Sequence, residues 1–264
     1  MNMKRIAGVI LVLSLGAALT ASAIIPQDAK NKLNALGIEY SVQAFFNCAM
    51  QGNSAAVDIF LASGMNPNAR NPGGGTVLMG AAMKGQLGIV KTLIAQGADI
   101  HAKSYVGGNA LMLASLNGYN DIVQLLIDKG AKVNEKNVDD WTAIMMASGG
   151  HLDTVKLLLA NGADINARSK DGETSMTTAA LNGETEIVLL LLANGAKINE
   201  ATEYGITPLM RAVSWGQTTT VQVLIKKGAD LNLKAKGGET ALSLAKDGKV
   251  PELVPILKQA GAKE

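Results

Sequence analysis

The chain is expected to form an all-α solenoid, a stack of about seven helix-turn-helix units joined by hairpin-like loops. Three observations carry that expectation. Threonine, or asparagine in its place, recurs at Thr76, Asn109, Thr142, Thr174, Thr207 and Thr240, in steps of 33 residues with one of 32. Glycine keeps the same beat at Gly64, Gly97, Gly130, Gly162, Gly195, Gly228 and Gly261. After glycine a short phrase returns, as in Gly97-Ala98-Asp99-Ile100, Gly130-Ala131-Lys132-Val133-Asn134, Gly195-Ala196-Lys197-Ile198-Asn199 and Gly228-Ala229-Asp230-Leu231-Asn232. A fixed period of this length marks a row of supersecondary units, each burying its apolar face on its neighbour. Composition agrees. With 48% hydrophobic but only 3% aromatic residues, the core must be aliphatic, as stacking allows.

One unit shows how the residues dictate the elements. Between Thr154 and Thr174 the run Val155, Leu157, Leu158, Leu159 has helical rather than alternating spacing. Asn161-Gly162 ends that helix, because glycine adopts the left-handed conformation of a helix C-terminus without a Cβ clash. Ala163-Asp164-Ile165-Asn166 and Asp171-Gly172 then supply the small, polar and positive-φ residues of a turn-rich excursion. Thr174 is placed to cap the next helix, its hydroxyl accepting from a free backbone N–H.

This pattern resembles the ankyrin repeat, which runs T-P-L-H-x-A-A, a glycine, a V-x-L-L-L helix and G-A-D-V-N. Thr207-Pro208-Leu209-Met210 is the best match to its first-helix signature, and the resemblance spans roughly residues 40 to 263. It implies a scaffold whose partners dock on the hairpin tips and the exposed flank of the first helices.

Taken in order, the chain opens with Lys4 and Arg5, an apolar run from Ile6 to Thr20, and Ala21-Ser22-Ala23. That order reads as a secretory signal peptide over 1–23, with the mature chain beginning at Ile24. The apolar run is short for a membrane span, which needs about 20 residues. No membrane anchor is therefore expected after cleavage, and no cysteine at the junction suggests a lipoprotein. Periplasmic or secreted localisation follows as an expectation. Removing 1–23 takes two of 24 basic residues and leaves 22 against 22 acidic, so the mature chain lacks the basic footprint of a nucleic-acid binder. Residues 24–39 read as a linker with a short helix over Asp28–Leu36. Repeats are expected at about 40–70, 71–103, 104–136, 137–168, 169–201, 202–234 and 235–263. The first lacks the threonine signature and turns Phe45 and Phe46 inward. The last carries Pro251 and Pro255, which should shorten or bend its second helix. Ser148-Gly149-Gly150 is one residue short of its neighbours, so a local irregularity is expected there.

The inventory for chemistry is thin, and no enzyme is expected. His101 and His151 have no cysteine or second histidine at zinc-ligand spacing. Gly73-Gly74-Gly75-Thr76 has no P-loop lysine and falls where the repeat places a turn. Glu184 and Glu186 read as acids at a helix start, complementing its dipole. Cys48 is the one thiol, so no intramolecular disulfide can form, and its apolar surroundings suit a buried structural cysteine. No metal or cofactor is expected.

Where the family has the histidine of T-P-L-H, this chain has Met79, Met112, Met145 and Met210, with Thr177 the exception. In register these form a ladder along the first helices. It reads as inter-repeat packing, and alternatively as a soft-metal or oxidant-sensitive feature of an accessory factor in periplasmic stress or metal handling. Carried over by position, the partner-binding face includes the tip residues Tyr105, Trp141, Lys170 and Tyr204. Its helix-flank residues are Met83, Lys84, Leu116, Met146, Leu181, Arg211 and Trp215. The expected function is that of a monomeric, exported, non-enzymatic module binding a protein partner through this concave face. A toxin-neutralising or host-directed binder is the other alternative within that class.

Overall fold

The computed structural model describes residues 27–248 and 250–263. The expected signal segment and its cleavage site lie outside the described residues. Helix α1 occupies 27–35, inside the segment read as a linker with a short helix. Among the described residues, fourteen helices follow as seven consecutive pairs. They are α2 (Val42–Gln51) and α3 (Ser54–Ala62), α4 (Val77–Met83) and α5 (Leu87–Ala95), α6 (Ala110–Leu116) and α7 (Asn120–Asp128), and α8 (Ala143–Ala147) and α9 (Leu152–Ala160). Then come α10 (Ser175–Asn182) and α11 (Thr185–Ala193), α12 (Pro208–Ser214) and α13 (Thr218–Lys226), and α14 (Ala241–Asp247) and α15 (Leu253–Gln259). The only β-like feature among the described residues is an isolated bridge between Arg70 and Thr76.

The chain divides into two compact units. Among the described residues, one comprises 27–81 and Gln86–Asp99; the other comprises Ala82–Gly85, 100–248 and 250–263. In the first, Ser41 caps α2 by accepting from Ala44 N at 3.1 Å, as its position in the sequence implied. Phe45 and Phe60 are fully buried with ring centroids 5.2 Å apart, and Tyr40 lies 5.6 Å from Phe60. All three phenylalanines of the chain pack in this unit, and α1 adds the buried Ala29 and Leu33. Cys48 is buried as expected, and burial pushes its thiol pKa up, away from the reactive thiolate.

In the second unit the first helices pack on one another in sequence, α6 on α8, α8 on α10, α10 on α12 and α12 on α14. The second helices α7, α9, α11 and α13 form a parallel series. Each second helix ends as the sequence implied. At the end of α9, Gly162 has φ +80°, donates to Leu159 O at 3.1 Å, and lets Ala163 N reach Leu158 O at 3.0 Å. That is a Schellman closure, and it turns the chain into the loop. Loops are then tied across repeats by asparagine. Asn134 Oδ1 accepts from Asp164 N at 2.8 Å while its Nδ2 donates to Gly162 O at 2.9 Å. Asn199 and Asn232 accept in the same way from Asp230 N and Lys263 N. At the C-terminal end, α15 has seven residues with Pro255 in its first turn and starts just after Pro251, the shortening expected from the two prolines.

Candidate functional site

The first-helix caps set the geometry of the candidate face. Asn109, Thr174, Thr207 and Thr240 each accept from the backbone N–H three residues on, at 2.9 to 3.2 Å. The residue three places after the cap answers in turn. Thr177 Oγ1 accepts from Thr174 N at 2.7 Å, Ser243 Oγ from Thr240 N at 2.9 Å, and the Met210 sulfur from Thr207 N at 3.5 Å. The methionine ladder is thus an interior feature. Met79, Met112, Met145 and Met210 are all buried, and the Met79 and Met210 sulfurs serve as acceptors at helix starts.

One cap fails, contrary to the sequence reading. Thr142 makes no side-chain bond at the start of α8, and its buried hydroxyl has no partner. The irregularity expected at Ser148-Gly149-Gly150 lies in the same repeat: α8 has five residues, while α6 has seven and α10 eight. Where α6 and α10 carry Leu116 and Leu181 in their last turns, the fourth repeat has Gly149 beyond the end of α8. Between them lies a cleft of about 450 Å³ lined by Leu116, Trp141, Met145, Met146, Gly149, His151, Thr178, Leu181 and Asn182. Four of the residues named from the sequence, Leu116, Trp141, Met146 and Leu181, therefore meet in one place.

The other candidates surround it differently. Hairpin tips are linked in series by single backbone bonds, Val138 N to Val106 O, Lys170 N to Asp139 O, Glu203 N to Asp171 O and Lys236 N to Tyr204 O, at 2.8 to 3.1 Å. This ladder holds Tyr105, Lys170 and Tyr204 on three of the linked tips. Tyr105, Tyr204 and Trp215 are 74%, 60% and 64% exposed, an apolar display that packing within the repeats does not require. Trp215 is the C-cap of α12 and does not line the cleft. Arg211 is half-buried and committed to an ion pair with Glu173. Lys84 is exposed and Met83 half-buried in the short Ala82–Gly85 segment.

His151 has a structural task. Its Nε2 lies 2.9 Å from Leu116 O, and its ring covers Gly118, where a Cβ would meet Nδ1 at 2.4 Å. Gln217 does the same work two repeats later, donating to Leu181 O at 3.1 Å. Among the described residues no group of three or more His, Cys, Asp or Glu could hold a metal ion, and no helix is long and apolar enough to cross a membrane. Met145, Gly149, Thr178 and Asn182 were not singled out from the sequence as site residues. The signal that points to them is the missing residue at 148–150, which leaves the slot between two leucines empty.

The family model for ankyrin repeats (3 copies) matches residues 19–104, 45–137, 78–169, 143–235 and 179–263 in overlapping segments. The chain belongs to the ankyrin repeat family. The crystal structure of the human ASB11 ankyrin repeat domain is similar at a TM-score of 0.75 and 25% identity, over 83% of this chain and 98% of that one. No curated protein matches the chain in sequence. The ankyrin fold is an interaction scaffold whose extended surface binds proteins, and the cleft and exposed rings lie on elements that such a surface uses.

Proposed function

We propose that this ankyrin-repeat chain is an exported, non-catalytic, monomeric protein that acts by binding a protein partner on the first-helix and hairpin-tip face of its second compact unit. The observation that carries the reading is the apolar cleft holding Trp141, with Tyr105, Tyr204 and Trp215 exposed on neighbouring first-helix and tip positions. Large rings left in water favour burial in an interface, and tryptophan and tyrosine are the usual anchors there. Export is supported by the charge, apolar run and A-x-A order of residues 1–23. N-terminal sequencing of the envelope-fraction protein tests that part: Ile24 as the first residue supports export, and Met1 points to a retained segment.

Binding is tested by affinity capture from periplasmic extract with the chain from Ile24 as bait. The partner should be retained by wild type and by Lys156→Ala, whose exposed side chain lies on α9 and pairs with Asp153. It should be lost or weakened with Trp141→Ala and Trp215→Ala. The reverse pattern would move the interface to the second-helix face.

A further inference from the structure

In three repeats the residue after the glycine that follows the first helix has a shared task. Gln86 Nε2 donates to Met50 O at 3.3 Å, His151 Nε2 meets Leu116 O at 2.9 Å, and Gln217 Nε2 donates to Leu181 O at 3.1 Å. Each reaches back to a carbonyl near the end of the preceding first helix, and each does so with a nitrogen. In the fifth repeat the same slot holds Glu184. A carboxylate accepts and cannot donate, so this bond is not made, and the Glu184 side chain has no hydrogen bond or ion pair among the described residues. Its Oε1 lies 3.4 Å from the point where a Cβ of Gly150 would sit, and Gly150 follows Gly149 of the cleft lining. No Asp, Glu, Lys or Arg lines the cleft, and Glu184 borders the adjoining Gly150. It stands at the N-cap of α11 and makes no side-chain cap bond there.

Resting on the binding reading above, we infer that this cleft is a specific anchor site for a partner segment that presents a large apolar side chain beside a lysine or arginine. The apolar group enters between Leu116 and Leu181, over Gly149 and against Trp141 and Met146. The cation donates to the Glu184 carboxylate that the protein itself leaves unmet. The short fourth repeat empties the leucine slot, and the fifth repeat supplies the carboxylate beside Gly150.

The test uses small probes and the full folded chain, so it does not wait on the partner. Phenethylammonium, phenethyl alcohol and phenylpropionate share a ring and differ in charge. Each is titrated into protein labelled with 13C at the methionine methyls, with Met146 assigned from Met146→Leu. All three rings should move the Met146 signal. The cation should bind about two- to fivefold more tightly than the neutral alcohol, the range for a solvent-accessible ion pair, and the anion more weakly than either. Glu184→Gln should erase the cation's advantage. Because glutamine in this slot can make the bond that Gln86 and Gln217 make, that variant is expected to melt no lower than wild type. Gly149→Leu should abolish binding of all three probes, and it is sterically mild: a Cβ there meets nothing closer than Met146 O at 3.6 Å.

Equal binding of cation and anion, or a cation preference that survives Glu184→Gln, overturns the charge assignment. A Met146 signal unmoved by any probe overturns the anchor site. If a captured partner depends on Trp215 but ignores both Glu184→Gln and Gly149→Leu, the protein-binding reading stands and this inference alone falls.

Discussion

Thr142 and Thr174 stand at the same place in consecutive repeats, and only one of them caps its helix. In the fifth repeat the Thr174 hydroxyl accepts from Thr177 N at 3.2 Å, Thr177 returns the bond at 2.7 Å, and α10 runs for eight residues. In the fourth the Thr142 hydroxyl is buried without a partner and α8 stops after five. The turn before each cap differs too. Gly172 takes φ +76° where any Cβ would strike the Arg168 guanidinium, whereas the fourth repeat forces Asp140 to φ +62°, the one positive-φ residue other than glycine among the described residues. Asn134, Asn199 and Asn232 bond to the next loop, but Asn166 of the fourth repeat makes no such bond. Arg168 takes over there, pairing with Glu200 and Glu203 and donating to Ala201 O at 2.9 Å. The second helices are unaffected: α9 and α11 both have nine residues. A repeat that has lost one residue thus keeps its packing layer and gives up local order on the face where partners are expected.

The sharpest way to break that comparison is to cut into the layer said to be unaffected. Leu158 of α9 and Leu191 of α11 are both fully buried. Leu158→Ala and Leu191→Ala should each lower stability by about 2–5 kcal/mol in denaturant unfolding, and by similar amounts. A much smaller cost at Leu158 would mean that the irregularity reaches the second helices.

On the other face, Trp141→Ala should weaken a captured partner by about 2 kcal/mol or more, measured by calorimetry, against less than about 1 kcal/mol for most surrounding contacts. Lys156→Ala should leave affinity unchanged.

The caps offer a test by sign. Thr174→Val removes a hydroxyl that satisfies a helix N–H and should destabilise by about 1 kcal/mol. Thr142→Val removes a hydroxyl that satisfies nothing while keeping the methyl, so it should be neutral or stabilise by up to about 1 kcal/mol. Equal losses at the two positions would show that Thr142 does cap in solution. The smallest effect is expected at the turn. Asp140→Gly relieves a positive φ that glycine adopts freely, and thermal melts should show a gain of roughly 0.5–1 kcal/mol, partly offset by the extra freedom of glycine in the unfolded chain.

The repeat architecture was legible in the residues alone because its determinants are local. Gly162 closes α9 through bonds to Leu158 and Leu159 a few positions away, and Thr174 caps α10 through a residue three positions on. Period, glycine beat and caps therefore announce the helices and their ends without reference to distant contacts. Even the irregular repeat was visible, as one residue missing near Gly149. The consequence of that gap depends on residues one repeat away on either side. Leu116 and Leu181 become the walls of a cleft only because stacking places α6 and α10 against α8. The burial of the methionine ladder, the role of His151 as a clamp on Leu116 and the unmet carboxylate of Glu184 are likewise decided between repeats. In a stack the chain period sets what each unit is, and the contact with the next unit sets which of its side chains remain free to act.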